Sequence, residues 1–318
     1  QPAPAGCRLA LYGGLEELHD RFPAAVREAD LVVLGSYVPD GVAVARWVQA
    51  IARGTTAFYD IDTPVTLAAL ARGDCAYLVP ELVPGFDLYL SFTGGPTLGA
   101  IERDLGAPRA RALYCSADPE VHRPDPREPR WDLGYVGTYS ADRQPTLERL
   151  LVDPARRRRR MRFAVAGPQY PATVRWPANV ERYEHLAPGE HAAFYASQRF
   201  TLNVTRADMV RAGWSPSVRL FEAAACGTPI LSDPWPGLET IFAPQREILL
   251  ARSTAEALAI LEDTPEDVRG AIGERARRRV LAEHTAAHRV EALEAYVREV
   301  RAAGAARRRR ATGARARP

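Results

Sequence analysis

Short apolar runs without polar alternation recur along this chain, and helix-length segments separate them. A strand apolar on both sides must be covered on both faces, and an intervening helix lets successive strands pair in parallel. The runs at 31–35, 55–59, 87–92 and 110–115 alternate with helical stretches at 43–52, 64–72 and 97–105. A first strand-like run lies at 7–12. Residues 119–130 are rich in proline and charge and read as a linker. After them the alternation resumes, with strands predicted at 133–136, 162–166, 180–183, 200–204, 230–232 and 247–250. From 265 onward the pattern is helical, over 268–283 and then 284–300. The fold class is therefore α/β: a domain at 1–118, a linker at 119–130, a second domain at 131–283, a closing helix at 284–300 and a tail at 301–318.

At 318 residues the chain is long enough for two such domains. Its 47% hydrophobic and 25% charged residues are globular values. No run approaches the roughly 18 apolar residues of a membrane helix, and no signal-peptide pattern opens the chain. Cys7, Cys75, Cys115 and Cys226 lack metal-ligand spacing, and the expected setting is a reduced cytoplasm. The net charge of +3 belongs to one end. Residues 307–318 hold six arginines and no acid, and subtracting those six charges leaves −3 for the rest. The tail reads as disordered, with no specific nucleic-acid partner and at most weak attraction to anionic membrane. The arginines at 156–160 end a helix, where cations suit the dipole.

The chemistry concentrates at 213–233. A loop of Gly213, Trp214, Ser215, Pro216 and Ser217 runs into a short amphipathic helix, stopped by Gly227 with Pro229 beyond it. Glu222 sits among the small residues Ala223 to Cys226. A carboxylate there is costly to bury unless it meets hydroxyls or cations. Ribose hydroxyls fit that need, and the N–H groups opening the helix suit a diphosphate.

This segment, read through to Glu239 and Glu247, resembles the donor-binding motif of GT-B glycosyltransferases, and in particular the CgeB-like (spore-maturation protein) group. Residues 132–139, 165–168 and 114–124 extend the resemblance, the last to the inter-domain linker. The resemblance implies two Rossmann-like, doubly wound parallel-sheet domains facing a cleft, with a C-terminal crossover helix. It implies a nucleotide-sugar donor held by the second domain and a glycan or other acceptor held by the first. It implies no cofactor and no required metal. Many retaining members carry two glutamates separated by seven residues. Here the second is Glu222 and the first position is Trp214. The strand that opens such proteins has no counterpart before Cys7. A non-catalytic nucleotide- or glycan-binding protein and a sugar-nucleotide epimerase are the alternatives.

The donor-binding candidates lie at strand ends. Gly137 and Thr138 allow close backbone approach to phosphate, and Arg143 pairs with it or is a solvated turn residue. Gly167 repeats the pattern. Ser215 and Ser217 are expected caps. Arg219 shares a face with Glu222 and either neutralises the diphosphate or pairs with that carboxylate. Arg206 follows a strand, and His185 flanks the nucleotide base. His191 reads as a helix-surface residue; His284 and His288, four apart, offer two metal ligands on one helix face but, without a third, read as packing or surface residues. Asn203 and Thr205 form a chance glycosylation pattern. Asp60 and Asp62 share a turn and are the catalytic or acceptor-binding candidates, with Asp62 otherwise a helix cap before Pro64.

Overall fold

The computed structural model describes the backbone of residues 6–315 and the side chains of residues 6–305. They divide into two compact units, one built from residues 6–91, 96–112 and 293–315, the other from 92–95 and 113–292.

The first unit holds a four-stranded parallel sheet, β1 (Leu31–Gly35), β2 (Thr55–Asp60), β3 (Leu88–Ser91) and β4 (Ala110–Ala112), in that order. The helices Gly41–Ile51, Thr63–Arg72 and Pro96–Asp104 connect its strands. Leu34, Phe58 and Tyr89 from the sheet pack with Val44, Val48 and Ile101 from the helices. The expected strand at 7–12 does not form. Leu9 and Leu11 are 62% and 80% exposed, because an apolar run without a neighbour gains neither ladder hydrogen bonds nor burial.

The second unit holds β5 (Trp131–Val136), β6 (Phe163–Ala166), β7 (Val180–Tyr183), β8 (Gln198–Asn203), β9 (Ile230–Ser232) and β10 (Leu249–Leu250). All pair in parallel in the order β10-β9-β8-β5-β6-β7. This is the doubly wound order, in which the winding reverses between β5 and β8 and ligands bind beyond the carboxyl ends of the strands. Leu133, Phe163, Val165, Phe200 and Leu231 build one core. On the opposite side Leu220, Phe221, Ala223, Ala224 and Ala225 pack with Ile230, Phe242, Ala276 and Val280. The alanines let the helix Val218–Ala225 lie close to the sheet, which fixes the height of the charged residues it carries.

The last helix, Ala286–Arg315, begins in the second unit, where Arg289 donates to the carbonyls of Tyr114 (2.9 Å) and Cys115 (3.2 Å). From Leu293 on it belongs to the first unit. There Tyr296 donates to Ala112 O at 3.0 Å, Glu299 pairs with Arg109 and Arg111, and Arg301 bonds Asp30 at 2.7 Å. The sequence predicted the helix to end at 300 and a disordered tail from 301. The helix runs on to Arg315 instead. Alanine and arginine are strong helix formers, and lengthening an existing helix needs no new nucleus. The tail beyond Arg315 lies outside the described residues. Among the described residues no helix is long and apolar enough to cross a membrane.

Candidate functional site

The reversal between β5 and β8 opens a crevice at the ends of those strands, and Arg219 closes its floor. Its Nε donates to Val136 O at the end of β5 (2.6 Å), and its Nη1 to Asn203 Oδ1 at the end of β8 (2.9 Å). The guanidinium lies 4.7 Å over the Tyr135 ring, and Arg219 is only 8% exposed. Arg219 is thus largely committed to joining the two strands. Of the two roles the sequence left open for Arg219, diphosphate contact or pairing with Glu222, the pairing gives way to these bonds, because the side chain reaches inward past the helix start. A Cβ added to Gly137 would meet Arg219 Nη2 at 3.0 Å, so the third nitrogen lies under the loop that follows β5.

That loop is pressed against the one after β6. Gly167 has φ +144°, and a Cβ there would lie 2.1 Å from Gly137 O. Only glycine allows this approach. Gly137 N donates to Ala166 O (2.8 Å), Tyr139 N to Pro168 O (3.0 Å) and Tyr170 Oη to Gly137 O (3.1 Å). Arg182, stacked on Tyr170 at 4.3 Å and Trp176 at 4.7 Å, holds Gly167 O at 3.0 Å. The two glycine turns form one rigid rim. Arg143 belongs to the same rim and donates to Thr138 O at 2.7 Å, so it braces the turn.

Glu222 lies one turn beyond Arg219 and faces a different set of groups. Its Oε2 accepts from Tyr195 Oη at 2.9 Å and has His191 Nδ1 at 3.5 Å, while Oε1 has His122 Nε2 at 3.6 Å. The side chain is 14% exposed. Burial alone pushes its pKa up, but His191, His122 and Tyr195 outweigh that and hold it below the ordinary carboxylate value. The nearby Glu222 carboxylate raises the pKa of His191 against the effect of burial. His191 is therefore no helix-surface residue. It opens the helix His191–Ala196 and points at the carboxylate. His122 comes from the predicted linker. Neither had a sequence signal, since 69 and 31 residues separate His122 from His191 and His191 from Glu222.

The other expected residues fall in several places. Ser217 occupies the N-cap of Val218–Ala225, yet its hydroxyl donates to Asn203 Oδ1 at 2.8 Å and no side chain caps the helix. Ser215 is buried, with its hydroxyl 2.5 Å from that of Thr93. Asn203, fully buried, is the hub of the crevice. Its amide also donates to Thr205 Oγ1 (3.2 Å) and Ser232 Oγ (2.9 Å), which rules out a glycosylation acceptor. Asp233, beyond β9, accepts from Thr205 N and Oγ1, each at 3.0 Å, and burial lifts its pKa to about 6. Arg206 approaches Asp142 at 3.9 Å, and His185 is exposed. Trp214, at φ +44°, lays its indole against Gly95 and Gly237, where any Cβ would be 2.4 Å from the ring.

In the first unit, Asp60 departs from the catalytic expectation. It is 0% exposed and accepts from Tyr89 Oη (2.6 Å), Thr66 Oγ1 (2.7 Å) and Asp62 N (3.2 Å). A carboxyl sealed in a core and fully bonded braces the turn and touches no substrate. Asp62 stands at the N-cap of Thr63–Arg72, but its carboxylate accepts from Tyr37 Oη at 3.0 Å and makes no capping bond.

Residues 143–295 match the family model described as glycosyl transferase-like. No curated protein matches the chain in sequence. Solved structures resemble it in fold. Sucrose-phosphate synthase from Thermosynechococcus elongatus is 16% identical, with 92% of this chain and 81% of that chain covered at a TM-score of 0.62. Anabaena HepE in complex with UDP and glucose is 13% identical, over 89% and 81%, at 0.66. Trehalose 6-phosphate synthase from Burkholderia multivorans is 13% identical, over 92% and 74%, at 0.64. The chain thus has the parallel α/β architecture of GT-B glycosyltransferases and carries a glycosyl transferase-like segment.

Proposed function

We propose that this protein is a glycosyltransferase that moves a sugar from a nucleotide-diphosphate donor to a glycan or another acceptor. The observation that carries the reading is Glu222, a carboxylate kept ionised at the doubly wound sheet's helix, with Oε1 3.6 Å from its neighbour and so available to a ribose hydroxyl. The rim formed by Gly137 and Gly167 supports close backbone approach to the diphosphate. With Arg219 mostly committed to the floor, the uncapped N–H groups at the start of Val218–Ala225 are the better candidates to stabilise charge on the leaving diphosphate. Transfer on this reading needs no bound cation. The motif at 213–250 favours the CgeB-like group, and the scattered cysteines favour a reduced cytoplasm as the setting.

Trp214, which stands where many retaining members carry a glutamate, favours a second reading, a donor-binding protein without turnover. Binding and transfer are therefore measured separately. A panel of nucleotide sugars screened by thermal shift identifies the donor, because a ligand specific to the native state raises the melting temperature. Glu222→Gln then weakens that donor by about 1–3 kcal/mol, roughly 5- to 150-fold, while Tyr195 keeps its acceptor and the unliganded fold persists. Unchanged affinity in a folded Glu222→Gln variant refutes the ribose assignment. Binding without sugar transfer or donor hydrolysis selects the second reading.

A further inference from the structure

His122, His191 and Glu222 each offer one ligand atom, and the three atoms lie within 4.8 Å of one another. Their side chains are 12%, 22% and 14% exposed, so the cluster is sheltered but reachable. The separations to the carboxylate, 3.5 and 3.6 Å, are long for charge-assisted hydrogen bonds, which favour about 2.7–2.9 Å. Each is near the spacing of two ligands on one ion, and because His191 approaches Oε2 and His122 approaches Oε1, sharing a single carboxylate oxygen needs one imidazole to shift. Donors about 2.0–2.1 Å from a tetrahedral centre sit about 3.4 Å from each other. Side-chain rotation can close the remaining pair. His122 Nδ1 is buried without a hydrogen-bond partner, so no bond through that nitrogen holds the ring against such a turn.

We propose that these three side chains bind a zinc-like divalent transition-metal ion. Two imidazoles and a carboxylate suit zinc and its neighbours, whereas magnesium and calcium prefer all-oxygen sites. Tyr195 Oη, bonded to Glu222 at 2.9 Å, orients the carboxylate without touching the ion. Three protein ligands leave a fourth position open. Resting on the ribose assignment of Glu222, the ion and the nucleotide compete for one carboxylate. Zinc then acts as an inhibitor of donor binding, and chelation relieves it.

The test uses the full chain, stripped with EDTA and dialysed. Titration with zinc chloride is followed by calorimetry, and cobalt(II) is followed by absorption. One equivalent of zinc binds, and the cobalt spectrum is that of a nitrogen–oxygen site without thiolate charge transfer, which excludes Cys7 and Cys75 as ligands. His122→Ala and His191→Ala each weaken zinc by about tenfold or more, with melting curves confirming the fold. His122→Gln and His191→Gln serve if the alanine variants do not fold. Zinc binding that these variants leave unchanged overturns the proposal, as does a thiolate cobalt spectrum or no binding. Nucleotide affinity is measured separately with EDTA and with zinc. Loss of donor binding in Glu222→Gln under EDTA, with no zinc site found, sinks the metal proposal alone. A zinc site that leaves nucleotide affinity untouched sinks the competition and the ribose assignment together.

Discussion

Gly167→Ala perturbs the proposed diphosphate rim at its tightest point. The new Cβ would lie 2.1 Å from Gly137 O and 2.6 Å from Gly137 C, both backbone atoms that cannot rotate away. At φ +144° the backbone also lies where side chains are strained, which costs about 1–3 kcal/mol. Relieving the overlap separates the two turns and costs about 1–3 kcal/mol more, as overpacking does. The bonds from Tyr139 to Pro168 (3.0 Å) and from Tyr170 to Gly137 (3.1 Å) span that contact and stretch with it. The sum is about 2–6 kcal/mol, and at about 2–4 °C per kcal/mol the second unit melts roughly 4–24 °C lower. Differential scanning calorimetry reads this directly. Gly189→Ala is the control, since no atom lies within 4 Å of its added Cβ and it needs no unusual backbone. Nucleotide-sugar affinity falls in Gly167→Ala if the rim holds the diphosphate. A Gly167→Ala protein that melts within about 2 °C of the parent refutes the reasoning about the contact.

Gly270→Ala, on the exposed face of the helix Glu266–Glu283 with nothing within 4 Å, raises stability by about 0.5–1 kcal/mol in urea titrations. His284 packs against Phe221 (5.0 Å) and Phe242 (6.4 Å), and burial, aided by Arg289, Arg279 and His288, lowers its pKa from 6.5 to about 4. The folded state prefers the neutral ring, so this stability is fully present above pH 6.5 and is lost as pH falls towards 4. Its size is at most about 3 kcal/mol, and His284→Gln flattens that part of the stability–pH curve. Ending the chain after Ala302 keeps Arg301 on Asp30, so the melting temperature holds. Any cosedimentation of the intact chain with phosphatidylserine vesicles fades in the truncated chain and at high salt.

The strands of the second unit were legible because each is an apolar run bounded by Gly, Pro or polar residues, and because buried parallel strands need no alternation. The run at 7–12 has the same composition and forms no strand, since a strand requires a neighbour that composition does not name. The helix at 218–225 was legible from its glycine and proline stops. The partners of its charged residues were not. Helical spacing puts Arg219 and Glu222 on one face, but long side chains choose partners from the whole fold. Val136 and Asn203 lie 83 and 16 residues before Arg219, and no local pattern joins them.

That choice bears on the chemistry. Arg219 ties the last residues of β5 and β8 together, so the crevice is braced before any ligand arrives. Its removal would leave the Val136 carbonyl and Asn203 Oδ1 short of a donor in a buried place, and so would damage the scaffold and the site at once. A loss of activity in Arg219→Ala therefore says nothing about phosphate. Glu222, three residues on, has no such duty to the sheet. Its neighbours are Tyr195, His191 and His122, none of them a strand carbonyl. One helix thus separates a residue that builds the crevice from one free to act on what enters it. On the proposed donor reading, Glu222→Gln is the variant that tests ligand chemistry, because the amide oxygen still accepts from the buried Tyr195 hydroxyl.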